Sequence, residues 1–349
     1  MRSFRPIVLA LVTLAFWAGG TLAPAAELGP APRDAKGRFL NGDGPLERSP
    51  LSVRLGFGFR FLAGRFRNRG QSPARVANDG AFLRENARHS VPTATWVGHA
   101  TLLIQVEHLT ILTDPIWSKR ASPVSWAGPR RQVAPGLAFE DLPPIDLVLL
   151  SHNHYDHMDL PTLRRLAERS AETRFLVGMG NGRLLQKNGI ENVIELDWGE
   201  KVSIGDATVH CLPAQHWSNR GLGDRREALW ASWAVVGAQR RFYFGGDTGY
   251  FSGFERIGEA LGPFDLAALP IGAYEPSPMM QPVHLNPEEA VQAGRDLRAE
   301  RMVGIHFGTF VLAGEPFDEP PRRFREAAAA AAYSPDAAWI LKIGETREF

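Results

Sequence analysis

Short β-rich segments that fall into two runs, with helical stretches between and after them, predict an α/β (α+β) protein in which two sheets pack together with helices outside. The chain has 349 residues, 44% of them hydrophobic, enough to bury a substantial core in one large domain or two. Side chains with metal-ligating chemistry recur just past the ends of the predicted strands. Periodicity by itself leaves other mixed arrangements open.

The chain opens on a secretory pattern. Arg2 and Arg5 precede an uncharged stretch from Pro6 to Ala26 that contains the apolar run Ile7–Trp17 and ends in Ala23-Pro24-Ala25. Residues 1–25 are therefore expected to be a signal peptide, cleaved after Ala25, and the protein to be exported, periplasmic or membrane-associated. The alternative is an uncleaved membrane helix. No cysteine lies there, which excludes a lipoprotein anchor. Without Arg2 and Arg5 the 39 basic residues become 37 against 38 acidic, so no global field favours nucleic acid.

Residues 26–90 are expected to form an N-terminal arm, packing on the domain or on a membrane surface. From Glu27 to about Pro50, Gly, Pro, Arg and Asp dominate without periodicity, as in a linker or poorly ordered arm. From Leu51 to Arg69, Leu55, Phe57, Phe59, Phe61 and Leu62 mix with Arg54, Arg60, Arg65, Arg67 and Arg69. Such a segment lies on an anionic membrane, or packs its aromatics on the domain and leaves its arginines solvated.

The compact domain is expected over 91–349. Thr93–Val97, Thr101–Val106 and Leu109–Asp114 read as a meander, and Ile145–Leu150 as a buried strand. A helix follows over Pro161–Ser170, a strand over Arg174–Val177 and a helix over Gly180–Asn188. Val193–Leu196, Ala207–Leu212, Leu229–Val236, Arg241–Phe244 and Leu266–Ile271 supply further strands. Pro287–Arg298 reads as a helix with Asn286 as N-cap and Glu288-Glu289 in its first turn, and Met302–Ile305 as a last strand. Ala327–Ala332 is a helical alanine run. Cys211 is the only cysteine, so no intramolecular disulfide can form, and its strand setting implies a buried, inert thiol.

One stretch demands a chemical explanation. Directly after the strand ending at Leu150, Ser151-His152-Asn153-His154-Tyr155-Asp156-His157-Met158-Asp159 packs three histidines and two aspartates together. Residues two apart in an extended chain point the same way, so His152 and His154 can converge on one point. Asp156 and His157 are adjacent and diverge, which suits a second point. Neutral imidazoles and a carboxylate are ordinary ligands for zinc or a similar divalent ion. A loop that merely caps the next helix would explain one Asp and none of the histidines. Three other strand ends offer donors: His216 in Pro213-Ala214-Gln215-His216, Asp247 in Gly245-Gly246-Asp247, and His306 in Ile305-His306-Phe307. Together they make seven donors, with Asp247 able to bridge two ions and leave a shared open position for water. His284 either positions or protonates a substrate group, or caps the helix after Asn286. His99 reads as a residue that orients a ligand. His89, His108 and His210 read as surface or core residues.

The order His152-x-His154-x-Asp156-His157, then His216, Asp247 and His306, resembles the metallo-β-lactamase superfamily. Trp96-Val97-Gly98-His99-Ala100-Thr101, Thr113-Asp114-Pro115-Ile116-Trp117, Pro213-Ala214-Gln215-His216-Trp217-Ser218 and Val283-His284-Leu285-Asn286-Pro287 are similar to its branch of N-acyl-phosphatidylethanolamine-hydrolysing phospholipases D. The resemblance spans about Val91 to Phe310. It implies a four-layer αββα sandwich and a binuclear zinc site. In it His152, His154, His216 and Asp247 hold one ion, and Asp156, His157, His306 and the shared Asp247 the other. It further implies that Tyr155 and His284 contact substrate, that Asp156, Asp247 and His284 serve catalysis, and that a phospholipid phosphodiester is cleaved to an N-acylethanolamine and phosphatidic acid.

Paired metal ions lower the pKa of a bridging water and yield hydroxide near neutral pH, so no protein nucleophile is needed. The rival readings are a hydrolase of the same fold acting on a lactone, cyclic phosphodiester or sugar phosphate, and a non-catalytic envelope protein stabilised by metal. A nuclease is disfavoured by the neutral charge and the export pattern.

Overall fold

The computed structural model describes residues 28–46, 49–62 and 70–349. The expected signal peptide, and residues 63–69 of the basic aromatic segment, lie outside the described residues. In chain order the strands are β1 (Thr93–Gly98), β2 (Thr101–Val106), β3 (Leu109–Thr113), β4 (Leu147–Leu150), β5 (Arg174–Gly178), β6 (Val193–Leu196), β7 (Lys201–Ile204), β8 (Ala207–Leu212), β9 (Ser232–Val236), β10 (Arg241–Phe244), β11 (Leu266–Pro270), β12 (Met302–Ile305), β13 (Ala338–Trp339) and β14 (Thr346–Glu348). The helices are α1 (Leu51–Leu62), α2 (Ala81–His89), α3 (Leu160–Arg169), α4 (Gly182–Gln186), α5 (Gly253–Leu261), α6 (Ser277–Met280), α7 (Pro287–Asp296) and α8 (Glu319–Ala330).

Two seven-stranded sheets carry the fold, in the orders β14-β1-β2-β3-β4-β5-β6 and β13-β12-β11-β10-β9-β8-β7. Each begins as an antiparallel meander, β1-β2-β3 or β7-β8-β9-β10, and continues as parallel strands. The final strand, β14, returns to pair with β1. In the first sheet the side chains divide with the period of two that a strand imposes. Leu102, Ile104, Leu147 and Leu149 face the core between the sheets, while Leu103, Val148 and Leu150 face the layer of α2, α3 and α4 through Leu83, Leu163, Leu166 and Leu185. Burial on both faces makes these strands read as unbroken apolar runs, each fully buried Leu, Val or Ile contributing about 1.5–3 kcal/mol. On the far side, Phe254 and Ile257 of α5, Ala290 and Val291 of α7, and Phe324 of α8 join the core of the second sheet. The result is helix, sheet, sheet, helix. Among the described residues no helix is long and apolar enough to cross a membrane.

The helix at Asn286 has the expected cap in full: the Asn286 side chain accepts from the Glu289 N–H at 2.9 Å and the Glu289 carboxylate accepts from the Asn286 N–H at 3.1 Å. Cys211 is buried and burial pushes its thiol up well above the usual range. Other expectations need correction. The Leu229–Val236 strand starts only at Ser232, because Leu229–Ala231 instead bond the loops after β5 and β4, through Met179 O and Ser151 O. The Pro287–Arg298 helix stops at Asp296, and Arg298 takes a left-handed conformation at φ 57°. The stretch read as a linker runs across the domain, with Ala31 and Phe39 buried in the inter-sheet core. One aromatic anchor in a Gly- and Pro-rich run gives no periodicity to detect.

Candidate metal centre

β1, β3, β4, β8, β10 and β12 all end at one edge of the sandwich, and the chain places a polar residue just beyond each: His99, Asp114, His152, His216, Asp247 and His306. The turns there are unusual. His99, Asp114 and His306 have φ of 56°, 35° and 62°, the left-handed region that non-glycine residues occupy at a cost and that clusters at functional sites. Before Asp247, Gly246 sits at φ 58°, and a Cβ there would lie 2.4 Å from the Ser151 Cβ. Only glycine lets the Asp247 turn approach the histidine cluster so closely.

The seven expected donors come together. His152 Nε2 lies 2.8 Å from His154 Nδ1, which lies 3.3 Å from His216 Nε2. On the other side, Asp156 Oδ2 is 3.3 Å from His157 Nε2 and 3.4 Å from His306 Nε2. Asp247 stands between the two groups. Its Oδ2 is 3.1 Å from His157 Nε2 and 3.9 Å from both His152 and His216 Nε2, and its Oδ1 is 3.1 Å from His306 Nε2. All but His154 and Asp156 are almost wholly buried.

Hydrogen bonds behind these side chains decide which ring nitrogen faces inward. The Ser151 hydroxyl donates to Asp114 Oδ2 at 2.5 Å, so at its 2.9 Å contact with His152 Nδ1 it must accept, and that nitrogen carries the proton. His157 Nδ1 donates to Asp114 Oδ2 at 2.6 Å, and His216 Nδ1 donates to the Val283 carbonyl at 2.9 Å. In the neutral ring each Nε2 is thereby the lone-pair nitrogen and faces the centre. Ligand nitrogens in a tetrahedral zinc site, with bonds of ~2.0–2.1 Å, lie about 3.3–3.4 Å apart. The His154–His216 spacing matches this and the His152–His154 spacing is tighter. His157 Nε2, His306 Nε2 and Asp247 Oδ1 are buried and make no well-aligned hydrogen bond, their nearest polar neighbours being one another across the centre, so a cation at that point would be the partner that satisfies them. The residues present fit a metal.

The electrostatics agree. Burial holds His152 well below the ordinary imidazole range, with His157, His154 and His216 adding to it, and holds His154 at about 4. Burial opposes charge on His306 too, but Asp247 and Asp156 outweigh it and raise it to about 9; Asp247, Asp156 and Asp114 likewise raise His157. Burial works against Asp247 as an anion, yet His157 and His306 hold it well below the usual carboxylate range. Protons on two histidines thus balance the carboxylates, and a divalent ion can replace them.

His99 acts as expected of an orienting residue: its Nε2 is 3.0 Å from Asp156 Oδ2. Burial and the neighbouring His306 keep it at about 3, hence neutral. His284 lies beside the centre, with Nδ1 3.9 Å from Asp247 Oδ2 and no hydrogen-bond partner. Tyr155 does not turn its hydroxyl to the donors. It donates to the Arg220 carbonyl at 2.8 Å, while the Arg220 guanidinium covers its ring at 4.1 Å and donates to the Asn153 and Met158 carbonyls. Sequence reasoning assigned no role to Asp114, Ser151 or Arg220. Asp114 carried the signal that found Asp247, a carboxylate just past a β-rich run, in Leu112-Thr113-Asp114-Pro115.

Residues 110–307 match the model of the beta-lactamase superfamily domain. The N-acyl-phosphatidylethanolamine-hydrolyzing phospholipase D 1 of Caenorhabditis elegans is 43% identical over 267 residues, covering 73% of this chain and 75% of its own. The mitochondrial N-acyl-phosphatidylethanolamine-hydrolyzing phospholipase D of Saccharomyces cerevisiae is 34% identical, over 76% of this chain and 58% of its own. Among solved structures, an isothiocyanate hydrolase from Delia radicum gut bacteria superposes with a TM-score of 0.59 at 21% identity, over 74% of this chain and 99% of that one. The αββα sandwich, the His/Asp metal-binding cluster at its edge and these likenesses together make the chain a metal-dependent hydrolase of the metallo-β-lactamase superfamily, belonging to the branch of the N-acyl-phosphatidylethanolamine-hydrolysing phospholipases D.

Proposed function

We propose that this chain is a two-zinc phosphodiesterase that cleaves N-acyl-phosphatidylethanolamine to an N-acylethanolamine and phosphatidic acid, after export to the periplasm or its membrane face. The observation that carries the chemistry is Asp247, whose two oxygens reach the nitrogens of both donor groups. The lipid is carried over from the names of the worm and yeast relatives. Two zinc ions held by His152, His154, His216 and Asp247, and by Asp156, His157, His306 and Asp247, would supply a nucleophile from water near neutral pH and a Lewis-acid surface for a phosphoryl oxygen.

The chain's own residues do the rest. Asp114 and Ser151 fix the tautomers of His157 and His152. His99 holds Asp156. Burial keeps His284 at about 4, so at neutral pH it is an uncharged imidazole suited to positioning a phosphoryl oxygen by hydrogen bond rather than to donating a full proton. Tyr155, its hydroxyl taken by the Arg220 carbonyl and its ring covered by the Arg220 guanidinium, braces the loop that carries His154 and Asp156. A cleft of about 480 Å³ opens beside Gln215, the residue before His216, and its lining is mixed, with Pro50, Tyr250 and Pro282 facing Gln281, Ser277 and Glu289. Exposed Leu51 and Leu55 of α1, with Arg54 in the same turn, and exposed Trp126 in the loop after β3, where Arg120 donates to the Ser125 carbonyl, match a surface that meets anionic lipid.

Purified protein is to be assayed on N-acyl-phosphatidylethanolamine, a chromogenic phosphodiester, a homoserine lactone and a cephalosporin. Turnover of the lipid is expected, together with a loss in Asp247→Asn larger than the roughly 10–100-fold of outer-sphere changes, with folding intact. Turnover of the lactone with neither phosphodiester touched would sink the proposal. Equal inactivity of wild type and variant on all four would favour the structural reading.

A further inference from the structure

Residues 28–46 lie across the edge where the donors converge, outside the stretch 110–307 that matches the family model. Phe39 is buried in the inter-sheet core, and its N–H donates to the Arg226 carbonyl at 2.9 Å. Two residues on, Asn41 is buried and grips the main chain of His216 from both sides. Its Oδ1 accepts from the His216 N–H at 3.0 Å and its Nδ2 donates to the His216 carbonyl at 3.1 Å. Trp230 Nε1–H is shared between the Ala214 carbonyl, at 2.8 Å, and the same Oδ1, at 3.1 Å. Asp43 then accepts from both the N–H and the hydroxyl of Ser252, at 2.9 and 2.7 Å, in the loop that follows Asp247.

His216 lies past the end of β8 in an irregular segment, so no sheet partner pairs its N–H and C=O, and buried main-chain groups must be paired. Asn41 pairs both. With the Val283 carbonyl taking Nδ1–H, Nε2 is the one polar group of His216 not used to hold the residue. Asp156 and His157 are held differently, by His99 and Asp114 from strand ends of the first sheet.

We propose that Asn41 is a positioning residue of the metal centre: its two-way bond to the His216 main chain sets the direction of Nε2 toward His152 and His154, so that half of the centre is incomplete without the N-terminal arm. This rests on reading those three nitrogens as ligands of one zinc ion.

The test is zinc affinity of the whole chain, stripped and then titrated against a chromophoric chelator, for wild type, Asn41→Ala and Asn41→Asp. In Asn41→Ala one of two zinc equivalents is expected to weaken roughly 10–100-fold while the other keeps its wild-type affinity. Asn41→Asp retains an acceptor for the His216 and Trp230 N–H groups and should recover part of the loss. Absorption of the cobalt-substituted protein should change for the weakened equivalent alone. Unchanged affinities, or equal loss of both equivalents, would overturn the proposal. If Asn41→Ala does not fold, Asn41→Ser keeps a polar group there but is too short to bond both main-chain groups of His216: selective weakening supports the proposal and wild-type affinities overturn it. A wild type that binds a single equivalent would remove the two-ion reading, and Asn41→Ala then decides on that equivalent alone, weakened in support or unchanged in refutation.

Discussion

Asp114 does at the scale of one residue what the visible ligands cannot do for themselves. Wholly buried, it accepts from the Ser151 N–H at 2.7 Å, the Ser151 hydroxyl and His157 Nδ1, and so sets two tautomers at once. Asp114→Asn keeps the shape but removes the charge, and should lower zinc affinity roughly 10–100-fold, read by chelator competition. The protons held by His157 and His306 give a pH signature. Both imidazoles are raised in the metal-free chain, His306 to about 9 against an unperturbed 6.5. A raised imidazole contributes stability that is full below the unfolded value and is lost as pH climbs through the folded one. Melting of the metal-free protein should therefore fall in temperature between pH 6.5 and about 9. Zinc, which must displace those protons, should bind more tightly over the same window and release them. A metal-free Tm that is flat or rising there would contradict this assignment.

At the scale of elements, the centre depends on strand ends and the turns after them. The strands bring the donors to one edge, but the turn geometry aims them. Gly246 is one such tight point, and Gly246→Ala combines a positive φ with a Cβ 2.4 Å from that of Ser151. It should cost about 1–3 kcal/mol and reduce bound metal, seen as a lower Tm and lower metal content. Legibility varied for the same physical reason. β2, β3 and β4, buried on both faces, stand out as apolar runs. β13 spans two residues and β14 three, Thr-Arg-Glu, too short and too polar to carry a period. α2 and α5 went unread, although α5 is strongly amphipathic with Phe254 and Ile257 turned inward; its Gly253 and Gly258 spoke against a helix.

At the scale of the molecule, two sheets of the same construction, each a meander continued by parallel strands, meet across a single core. The donors lie along one edge of the sandwich, and Leu55 of α1 and Trp126 of the loop after β3 are large apolar side chains exposed on the surface. If that edge meets a bilayer, Leu55→Glu together with Trp126→Glu should lower partition onto anionic vesicles by about tenfold or more, since each buried large apolar side chain is worth ~1.5–3 kcal/mol. Co-sedimentation equal to wild type would leave the edge without a membrane role.

From the sequence alone, the chemistry of the donors could be read, because ligating residues are rare types at fixed spacing and His152, His154, Asp156 and His157 sit within six positions of one another. Composition and period also made the buried strands and the capped helix at Asn286 legible. What only the tertiary structure decided was the wiring: that Asp114 serves His157, that Arg220 holds the Asn153–Met158 loop, and that Asn41 reaches His216 across 175 positions of chain. Hydrogen bonds between residues so far apart leave no local period or spacing behind, since each is a single polar contact made possible only after the two sheets have closed on their core.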